Sequence, residues 1–296
     1  MRVIHIIIVT LATAISPLAW GPLTLNAATH EVTKKIATSD ETKCAKLSSF
    51  CILPDDNLAL TDTANMAIKV ISPDDKVLKT IELEFSPLAI GWWPQKESFV
   101  VAGANNLALV KDDKIVKSIE IPYDYVSSAS GDGNYVFVTG RAGRTGFAVT
   151  RYDDKLENPK EIIKGLSGCC GQMDVQAYNG DIYVAANTSF EMRKYSPDGN
   201  VRKVFKKPSG VKYWDGCCEP KNSFLASDNK TLYVTESAQC AMYTFDAASG
   251  KMLEEIVRIP EIGGCVRVTV AASKDGKTVY MLDQSKNLIH VAEKKK

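Results

Sequence analysis

A short glycine–cysteine motif recurs along the chain at a nearly constant interval. It reads Gly168-Cys169-Cys170, then Gly216-Cys217-Cys218, and then Gly263-Gly264-Cys265. The first glycines of successive copies are 48 and 47 residues apart. Self-similarity at a fixed period of roughly 20–50 residues is typical of repeat architectures. The motif therefore predicts a fold built of similar units, with cysteines at one equivalent place in several of them.

Each unit has the pattern of short β-strands separated by tight turns. Residues 181–199, for example, contain two β-type runs and end in the turn sequence Ser196-Pro197-Asp198-Gly199. No stretch keeps the apolar period of a helix over three turns, so we expect almost no helix.

Six units align on the residue that ends the first clear strand of each. These anchor residues are Thr61, Ala102, Thr139, Ala186, Thr235 and Leu282. The steps between them are 41, 37, 47, 49 and 47 residues, which is typical of four-stranded propeller blades. We therefore predict an all-β, six-bladed β-propeller. A β-sandwich would not explain a period held over so much of the chain.

The sixth unit lacks an outer strand, and the chain has a spare β-type run near its start. The unit runs out at Lys294, whereas residues 31–37 belong to no other unit. We expect this run to complete the last blade, because joining the two ends of the chain in one sheet closes the ring and removes exposed edges.

The fourth unit also carries a recognisable repeat sequence. It reads Ile-Tyr-Val-Ala-Ala-Asn at residues 182–187 and Met-Arg-Lys-Tyr-Ser-Pro-Asp-Gly at residues 192–199. This sequence resembles the NHL-repeat type of six-bladed β-propeller, as do the first and fifth units, whereas the third departs at residues 141–146. Some related propellers are lactonases, esterases or lyases with calcium or zinc in the channel, so the resemblance implies the fold and leaves the function open.

The start of the chain has the pattern of a secretory signal peptide. Arg2 precedes a mostly apolar run at residues 3–19, and small residues follow at Ala27 and Ala28. We expect residues 1–28 to be removed and residues 29–296 to form one exported propeller, periplasmic or extracellular, with no stable membrane span. A retained anchor is the weaker alternative, because Ser16-Pro17 interrupts a run that is short for a span.

The charge of the mature chain is close to zero. Removing Arg2 reduces the count of Lys and Arg from 36 to 35, against 35 Asp and Glu. A neutral chain without a long basic stretch is a poor candidate for nucleic-acid binding. All eight cysteines lie after the signal segment, and an even number in an exported protein favours disulfides.

The cysteines fall in register with the anchor residues. Cys44, Cys169 and Cys265 each precede an anchor by 17 residues, and Cys217 precedes one by 18. This register places them, with Cys170 and Cys218, where the innermost strands begin, around one mouth of the channel. Cys240 is expected in a loop on the same face, and Cys51 further along the first inner strand.

Three interpretations of these cysteines remain open. The first is disulfides, including strained vicinal rings at Cys169-Cys170 and Cys217-Cys218 and bridges that use Cys44, Cys51, Cys240 and Cys265. The second is a thiolate site for a soft metal, although histidine is scarce. The third is a redox-active dithiol, with Lys212 and Lys221 near Cys217 in sequence.

Other candidate residues lie near the inner strands. Asp174, Asn187, Asn222 and Glu236 could supply oxygen ligands to calcium, although the sequence requires no cofactor and identifies no catalytic residue. His30 and His290 are interpreted as an exposed cross-strand pair in the last blade, and Trp92-Trp93 as packing residues.

The sequence favours a module that binds a small molecule or a protein at a cysteine-rich mouth. The predicted ligand-binding residues are Cys169, Cys170, Cys217, Cys218, Asp174, Asn222 and Glu236. The alternative is a metal-dependent hydrolase, lactonase or lyase with its site in the channel. That alternative requires Asp174, Asn222 and Glu236 to converge on one point.

Overall fold

The computed structural model describes residues 27–144, 146–166, 174–186, 191–207, 211, 223–236, 239–263 and 268–296. In these residues the chain forms six antiparallel sheets of four strands each, arranged in a ring. The chain is a six-bladed β-propeller, as its period predicts. A 3-10 turn at Pro260–Ile262 is the one helical element among the described residues.

The blades follow one another in chain order, and the last blade is completed by the first strand. Blades one to three contain, from the inside outwards, β2 (Leu47–Ile52), β3 (Leu58–Asp62), β4 (Ala67–Ile71) and β5 (Val77–Glu82); β6 (Pro87–Trp93), β7 (Ser98–Gly103), β8 (Asn106–Lys111) and β9 (Lys114–Glu120); β10 (Tyr125–Asp132), β11 (Tyr135–Arg141), β12 (Phe147–Asp153) and β13 (Lys160–Leu166). Blades four to six contain β14 (Val175–Tyr178), β15 (Asp181–Ala186), β16 (Glu191–Tyr195) and β17 (Val201–Phe205); β18 (Ser223–Leu225), β19 (Thr231–Glu236), β20 (Ala241–Asp246) and β21 (Met252–Arg258); β22 (Val270–Ala272), β23 (Thr278–Asp283), β24 (Leu288–Lys294) and β1 (His30–Ile36).

The first strand closes the ring as predicted. β1 pairs antiparallel with β24, with His30 opposite Lys294 and Ile36 opposite Ile289. The innermost strands contact one another in a closed circuit, since β2 meets both β6 and β22. All six sequence anchors lie in the second strands of their blades, which confirms the register used to align them.

Apolar clusters between neighbouring blades form the core. The described residues form six such clusters, one at each junction, and each combines side chains from two facing sheets. At the junction of blades two and three, for example, the fully buried Trp93 packs beside Val100 and Val138. Burial of these side chains is the main stabilising contribution to the ring.

Glycines on two inner strands let blades two and three approach closely. A Cβ added at Gly91 would lie 2.5 Å from the carbonyl oxygen of Ala129. One added at Gly131 would lie 2.6 Å from Cγ of Trp93, whose Nε1 donates to the Gly133 carbonyl oxygen at 3.2 Å. Both contacts are shorter than side-chain carbons tolerate, so these positions require glycine.

No helix among the described residues is long and apolar enough to cross a membrane. The predicted signal segment, residues 1–28, lies outside the described part except for its last two residues.

Candidate ligand site in the central channel

The six innermost strands run in the same direction, so the central channel has two chemically different ends. We call the end where these strands begin the N-terminal end, and the end where they finish the C-terminal end. The hairpins between second and third strands, which include Cys240, return to the N-terminal end. The sequence predicts its site there.

The structure places a cavity at the other end. A volume of about 370 Å³, open to solvent on one side, is lined at the C-terminal end by residues from all six blades. One representative from each blade, in chain order, is Cys51, Trp92, Ser130, Tyr178, Phe224 and Thr269. The size lies at the lower end of the range for small-molecule sites, roughly 300–1,000 Å³.

Aromatic rings form much of the cavity wall. Tyr178 and Phe224 meet edge to face with ring centroids 6.0 Å apart. Trp92 packs in the same way on Phe99, at 5.1 Å. Burial raises the pKa of Tyr178, and the Asp174 carboxylate raises it further. The wall therefore presents neutral aromatic surfaces, with the Tyr178 hydroxyl donating to Gln176 Oε1 at 3.3 Å.

Several polar groups at the cavity are satisfied within the protein. The Oδ1 atom of Asp132 accepts from Gln95 Nε2 at 2.9 Å, and its Oδ2 atom accepts from the Gly180 amide at 2.5 Å. Ser130 Oγ accepts from the Ala177 amide at 3.0 Å. Asp132 and Ser130 lie on β10, so these hydrogen bonds join blades two, three and four and fix the shape of the wall.

Two polar groups at the cavity are not satisfied in this way. Trp92 Nε1 and Thr269 Oγ1 are buried atoms without a hydrogen-bond partner among the residues that the structure describes. The Thr269 residue is only 3% exposed. Buried polar groups in proteins are normally paired, so an exception in the wall of a cavity requires an explanation.

Cys44 and Cys51, predicted to take part in disulfides, carry free thiols. Cys44 is fully buried against Ile36 and Leu47 before β2 begins. Cys51 lies near the end of β2, half-buried at the cavity. A strand rises about 3.3 Å per residue, so the two cysteines are about 13 Å or more apart, too far for a bridge. Burial raises the pKa of both thiols, to about 12 at Cys44.

At the N-terminal end, three fully buried carboxylates occupy equivalent places. Asp62, Glu236 and Asp283 end the second strands of blades one, five and six. Each accepts from the backbone amide three residues later, at Asn65 (3.4 Å), Gln239 (3.0 Å) and Lys286 (3.1 Å) respectively. Their shared role is to close the hairpin that follows.

Asp62 and Asp283 receive further hydrogen bonds. Asp62 accepts from the amides of Ala45 at 3.1 Å and Lys46 at 3.3 Å, and so holds the segment entering β2. Asp283 accepts from Ser285 Oγ at 2.6 Å. Burial alone would raise the Asp283 pKa, but hydrogen bonds from Ser285 and Lys286 outweigh it and the pKa is lowered.

The predicted calcium ligands are only partly within the described residues. Asp174 is 3% exposed and precedes β14, where its Oδ2 atom accepts from Gln176 Nε2 at 3.2 Å. Glu236 lies on a second strand of another blade, whereas Asn187 and Asn222 lie outside the described residues. Within the described ranges, no group of three or more His, Cys, Asp or Glu side chains could hold a metal ion.

Most of the predicted cysteine mouth lies outside the described residues, namely Cys169, Cys170, Cys217, Cys218 and Cys265, as do Lys212 and Lys221. Cys240 is described and lies in the predicted loop, between β19 and β20. Its thiol donates to the Gly263 carbonyl oxygen at 2.9 Å. Burial, followed by the charges of Glu236 and Asp283, raises its pKa to about 12.

The interpretation of His30 and His290 as an exposed pair is wrong. They lie on the paired strands β1 and β24, but His30 is opposite Lys294 and His290 is opposite Lys35. His290 is fully buried, with its Nε2 atom 3.5 Å from Asp283 Oδ2. His30 is 4% exposed and donates from Nε2 to the Gly276 carbonyl oxygen at 3.1 Å. Both rings are therefore shielded from solvent by the residues packed around the last blade.

The sequence did not lead us to the cavity, although two of its lining residues occupy equivalent positions in their blades. Cys51 and Trp92 each precede their anchor residue by 10 positions, a coincidence that could have identified the C-terminal end. Trp92 and Trp93 are both packing residues as expected, on the clusters at either side of blade two, and Trp92 also lines the cavity.

No protein-family model matches the chain, and no curated protein matches it. Solved structures do. Virginiamycin B lyase from Staphylococcus aureus is 16% identical with a TM-score of 0.56, over 84% of this chain and 80% of that one. The catalytically inactive lyase with quinupristin has a TM-score of 0.58 at 16% identity, over 85% of this chain and 81% of that one. The β-propeller domain of Cps50 (Swd1) from Myceliophteria thermophila has a TM-score of 0.59 at 8% identity, over 90% of this chain and 100% of that one. At these identities the likeness shows a shared β-propeller fold.

Proposed function

We propose that this chain is an exported β-propeller that binds a small molecule in its central channel. The observation that carries the proposal is the cavity of about 370 Å³ that residues from all six blades line at one end of the channel. A concave, mostly apolar site with a few polar groups is the usual form of a small-molecule site.

The rigidity of the wall supports the same proposal. Part of it, including Cys51, Trp92 and Tyr178, lies on paired strands, and hydrogen bonds accepted by Asp132 and Ser130 join adjacent blades around it. A site that is already formed loses little conformational entropy when its ligand binds. Binding therefore needs no rearrangement of the blades.

A ligand screen with a cavity-filling variant tests the proposal. Ala226 lines the cavity, and Ala226→Phe should occupy part of it. Ala248, exposed in the turn between β20 and β21, gives the matched control Ala248→Phe. Compounds that stabilise the wild type and the control against heat should fail to stabilise Ala226→Phe, after circular dichroism has confirmed that both variants fold. Equal stabilisation of all three proteins would contradict the proposal.

The cysteine-rich mouth is a second part of the proposal. We propose an NHL-type repeat with vicinal disulfides at Cys169-Cys170 and Cys217-Cys218, facing a ligand or protein partner at the N-terminal end. The nearly equal register of these cysteines in successive units, 17 and 18 residues before their anchors, supports it. An exported location, periplasmic or extracellular, is compatible with disulfides.

Mass spectrometry of the mature protein without reductant, with elemental analysis, tests this part. We expect cleavage near Ala27 or Ala28, so that the mature chain begins near Thr29, together with two vicinal bridges and no bound metal. Free thiols with a bound metal would contradict the disulfides. Bound calcium or zinc would favour the alternative of a hydrolase, lactonase or lyase that uses Asp174, Asn222 and Glu236.

A further inference from the structure

We infer that the guanidinium group of Arg141, at the N-terminal end of blade three, is a binding site for a carboxylate. The site lies at the opposite end of the propeller from the cavity of about 370 Å³. The inference goes beyond the proposed function, because it does not depend on whether that cavity binds a ligand. Three observations carry it, namely the rings that hold the guanidinium, its lack of a carboxylate partner in the described part of the chain, and the access to its terminal nitrogen atoms.

Two aromatic rings hold the guanidinium in place. Arg141 ends β11 opposite Tyr125, the first residue of β10, so it lies at the N-terminal end. Its Cζ atom is 5.3 Å from the centroid of the Tyr125 ring and 5.4 Å from that of Phe147. The two rings meet edge to face, and both belong to the apolar cluster between blades three and four. A cation within about 6 Å of a ring centroid is attracted to the ring, so the position of this charge is set before a ligand binds.

Other described cations that lie over an aromatic ring also pair with a carboxylate. The ion pairs are Lys96 with Asp154 at 2.6 Å, Arg151 with Asp198 at 2.7 Å, and Lys194 with Asp181 at 2.6 Å. Arg141 lies over two rings but makes no ion pair or side-chain hydrogen bond with the described residues. Because a guanidinium is always protonated in proteins, a carboxylate from outside the chain would complete the same arrangement here.

The carboxylates on neighbouring segments have other partners. Asp124, just before β10, accepts from the Gly143 amide with both oxygens at 3.1 Å. Glu191, which begins β16 of blade four, accepts from Arg193 at 3.0 Å. A ligand at Arg141 therefore has neither of these carboxylates to displace.

The terminal nitrogen atoms of Arg141 are the groups that a ligand reaches. The residue is half-buried. Its Nε atom is enclosed and has no hydrogen-bond partner among the described residues, whereas Nη1 and Nη2 are not enclosed in this way. These two atoms present parallel N–H groups that match the two oxygens of a carboxylate. A single unpaired positive charge balances a monoanion, which favours a carboxylate over a phosphate dianion.

Two fluorinated probes of the same shape test the inference on the mature protein by fluorine NMR. 4-Fluorobenzoate carries a carboxylate, and 4-fluorobenzamide replaces it by a neutral amide. We expect the benzoate to bind roughly 10-fold more tightly, because hydrogen bonds to a charged acceptor are stronger than those to a neutral one. In arginine-labelled wild type, the benzoate should also shift the resonance of the Arg141 Nε–H group, which is shielded from solvent.

Variants of two arginines in the same hairpin locate the site. Arg141→Lys keeps the positive charge but lacks the paired N–H groups, and it should weaken benzoate binding roughly 3- to 10-fold. Arg141→Gln removes the charge, so benzoate and benzamide should bind it within about 2-fold of each other. Arg144→Gln is the matched control, because Arg144 is an exposed arginine in the same hairpin. It should change neither affinity by more than about 2-fold, since salt screens exposed charges. Circular dichroism establishes that each variant folds.

Competition with 4-fluorobenzoate distinguishes two sources of the carboxylate. Acetate represents a small acid, and N-acetylglutamate methylamide represents a side chain of a partner protein. Displacement by both compounds supports a site that admits a side chain, whereas displacement by acetate alone supports a site for a small acid. Displacement by inorganic phosphate at a lower concentration than acetate, at equal ionic strength, would overturn the assignment to a carboxylate.

The remaining outcomes separate the inference from the proposed function. Equal binding of benzoate and benzamide to the wild type would overturn the inference, as would benzoate binding that Arg141→Gln leaves unchanged. Ala226→Phe, which fills part of the cavity at the other end, should keep the preference for benzoate. Loss of that preference in Ala226→Phe would place the carboxylate in the cavity and contradict the inference.

Discussion

The two ends of the channel use buried polar groups in opposite ways. At the N-terminal end, the fully buried carboxylates of Asp62, Glu236 and Asp283 each accept hydrogen bonds from the hairpin that follows. At the C-terminal end, the neutral atoms Trp92 Nε1 and Thr269 Oγ1 are buried without a partner in the described part of the chain. The carboxylates that accept backbone hydrogen bonds support their hairpins, whereas the C-terminal end leaves a cavity lined by aromatic rings.

The largest expected effect is the loss of a buried carboxylate at the N-terminal end. Asp62→Ala removes the acceptor for the amides of Ala45 and Lys46 and for Asn65. It should lower the free energy of unfolding by about 3–5 kcal/mol, because these three donors lose a charged acceptor at once and Lys69 Nζ, 3.9 Å from Asp62 Oδ2, loses its charge partner. Urea unfolding measures the change.

The control for this prediction is Glu157→Ala, which removes an exposed carboxylate 3.8 Å from Lys117 Nζ. An exposed ion pair contributes less than about 1 kcal/mol. A similar loss in both variants would show that the buried carboxylate has no special role in the hairpin.

The next effect concerns the close approach of blades beside the cavity. Gly91→Ala would place a Cβ 2.5 Å from the Ala129 carbonyl oxygen, so the two inner strands must move apart. We expect a loss of about 1–3 kcal/mol, which is typical of overpacking. Thermal or urea unfolding measures it. An unchanged stability would mean that the wall is less rigid than the proposed site requires.

Acidification below pH 6.5 should destabilise the protein through its buried histidines. Burial lowers the pKa of His290 below its ordinary value of 6.5, with Lys35 lowering it and Asp283 and Glu261 raising it. The unfolded chain therefore binds a proton at a higher pH than the folded chain, so stability is full above pH 6.5 and falls as the pH drops below it. The slope from one such group is at most about 1.4 kcal/mol per pH unit.

His290→Gln should reduce this slope between pH 6.5 and pH 5, as measured by urea unfolding at each pH. Burial also lowers the pKa of His30, so His30→Gln should show how much His30 contributes to the slope of stability with pH. The pKa of Asp283 is lowered from 3.8, and its contribution is lost only at still lower pH. A slope unchanged in both histidine variants would contradict the assignment.

The smallest effect compares one thiol at each end. Cys44→Ser places a hydroxyl in a fully buried apolar cluster, whereas Cys51→Ser places it beside the cavity. Burying an unpaired hydroxyl destabilises a protein by about 1–3 kcal/mol. We expect the Cys44 variant to lose about 1 kcal/mol more than the Cys51 variant in urea unfolding. Equal losses would show that the two thiols have similar surroundings.

Much of the fold could be read from the sequence because a repeat imposes the same local pattern many times. The anchors at Thr61 and Leu282 fall in second strands, and the run at residues 31–37 predicts β1 to within one residue at each end. Each repeat gives an independent sample of the strand and turn pattern, so errors in one unit do not alter the period.

The candidate site was harder to predict, because a sequence shows which residues can react or bind a metal but does not show where a cavity forms. The spacing of the cysteines predicted a site at the N-terminal end. The described carboxylates there, Asp62 and Asp283, accept hydrogen bonds from the backbone of their hairpins. Tyr178, Phe224 and Thr269 come from three blades and share no sequence motif. The exposure of His290 also depends on how facing strands pack. The alternation of apolar and polar residues along one strand does not predict that packing.

The sequence by itself determined the number of blades, the order of their strands and the closure of the ring, because these follow from local periodicity. Only the tertiary structure decided which end of the channel holds a cavity and which polar atoms, such as Thr269 Oγ1, are left without a partner there. Both depend on distances between inner strands of different blades, and those distances are set by the packing of the whole ring.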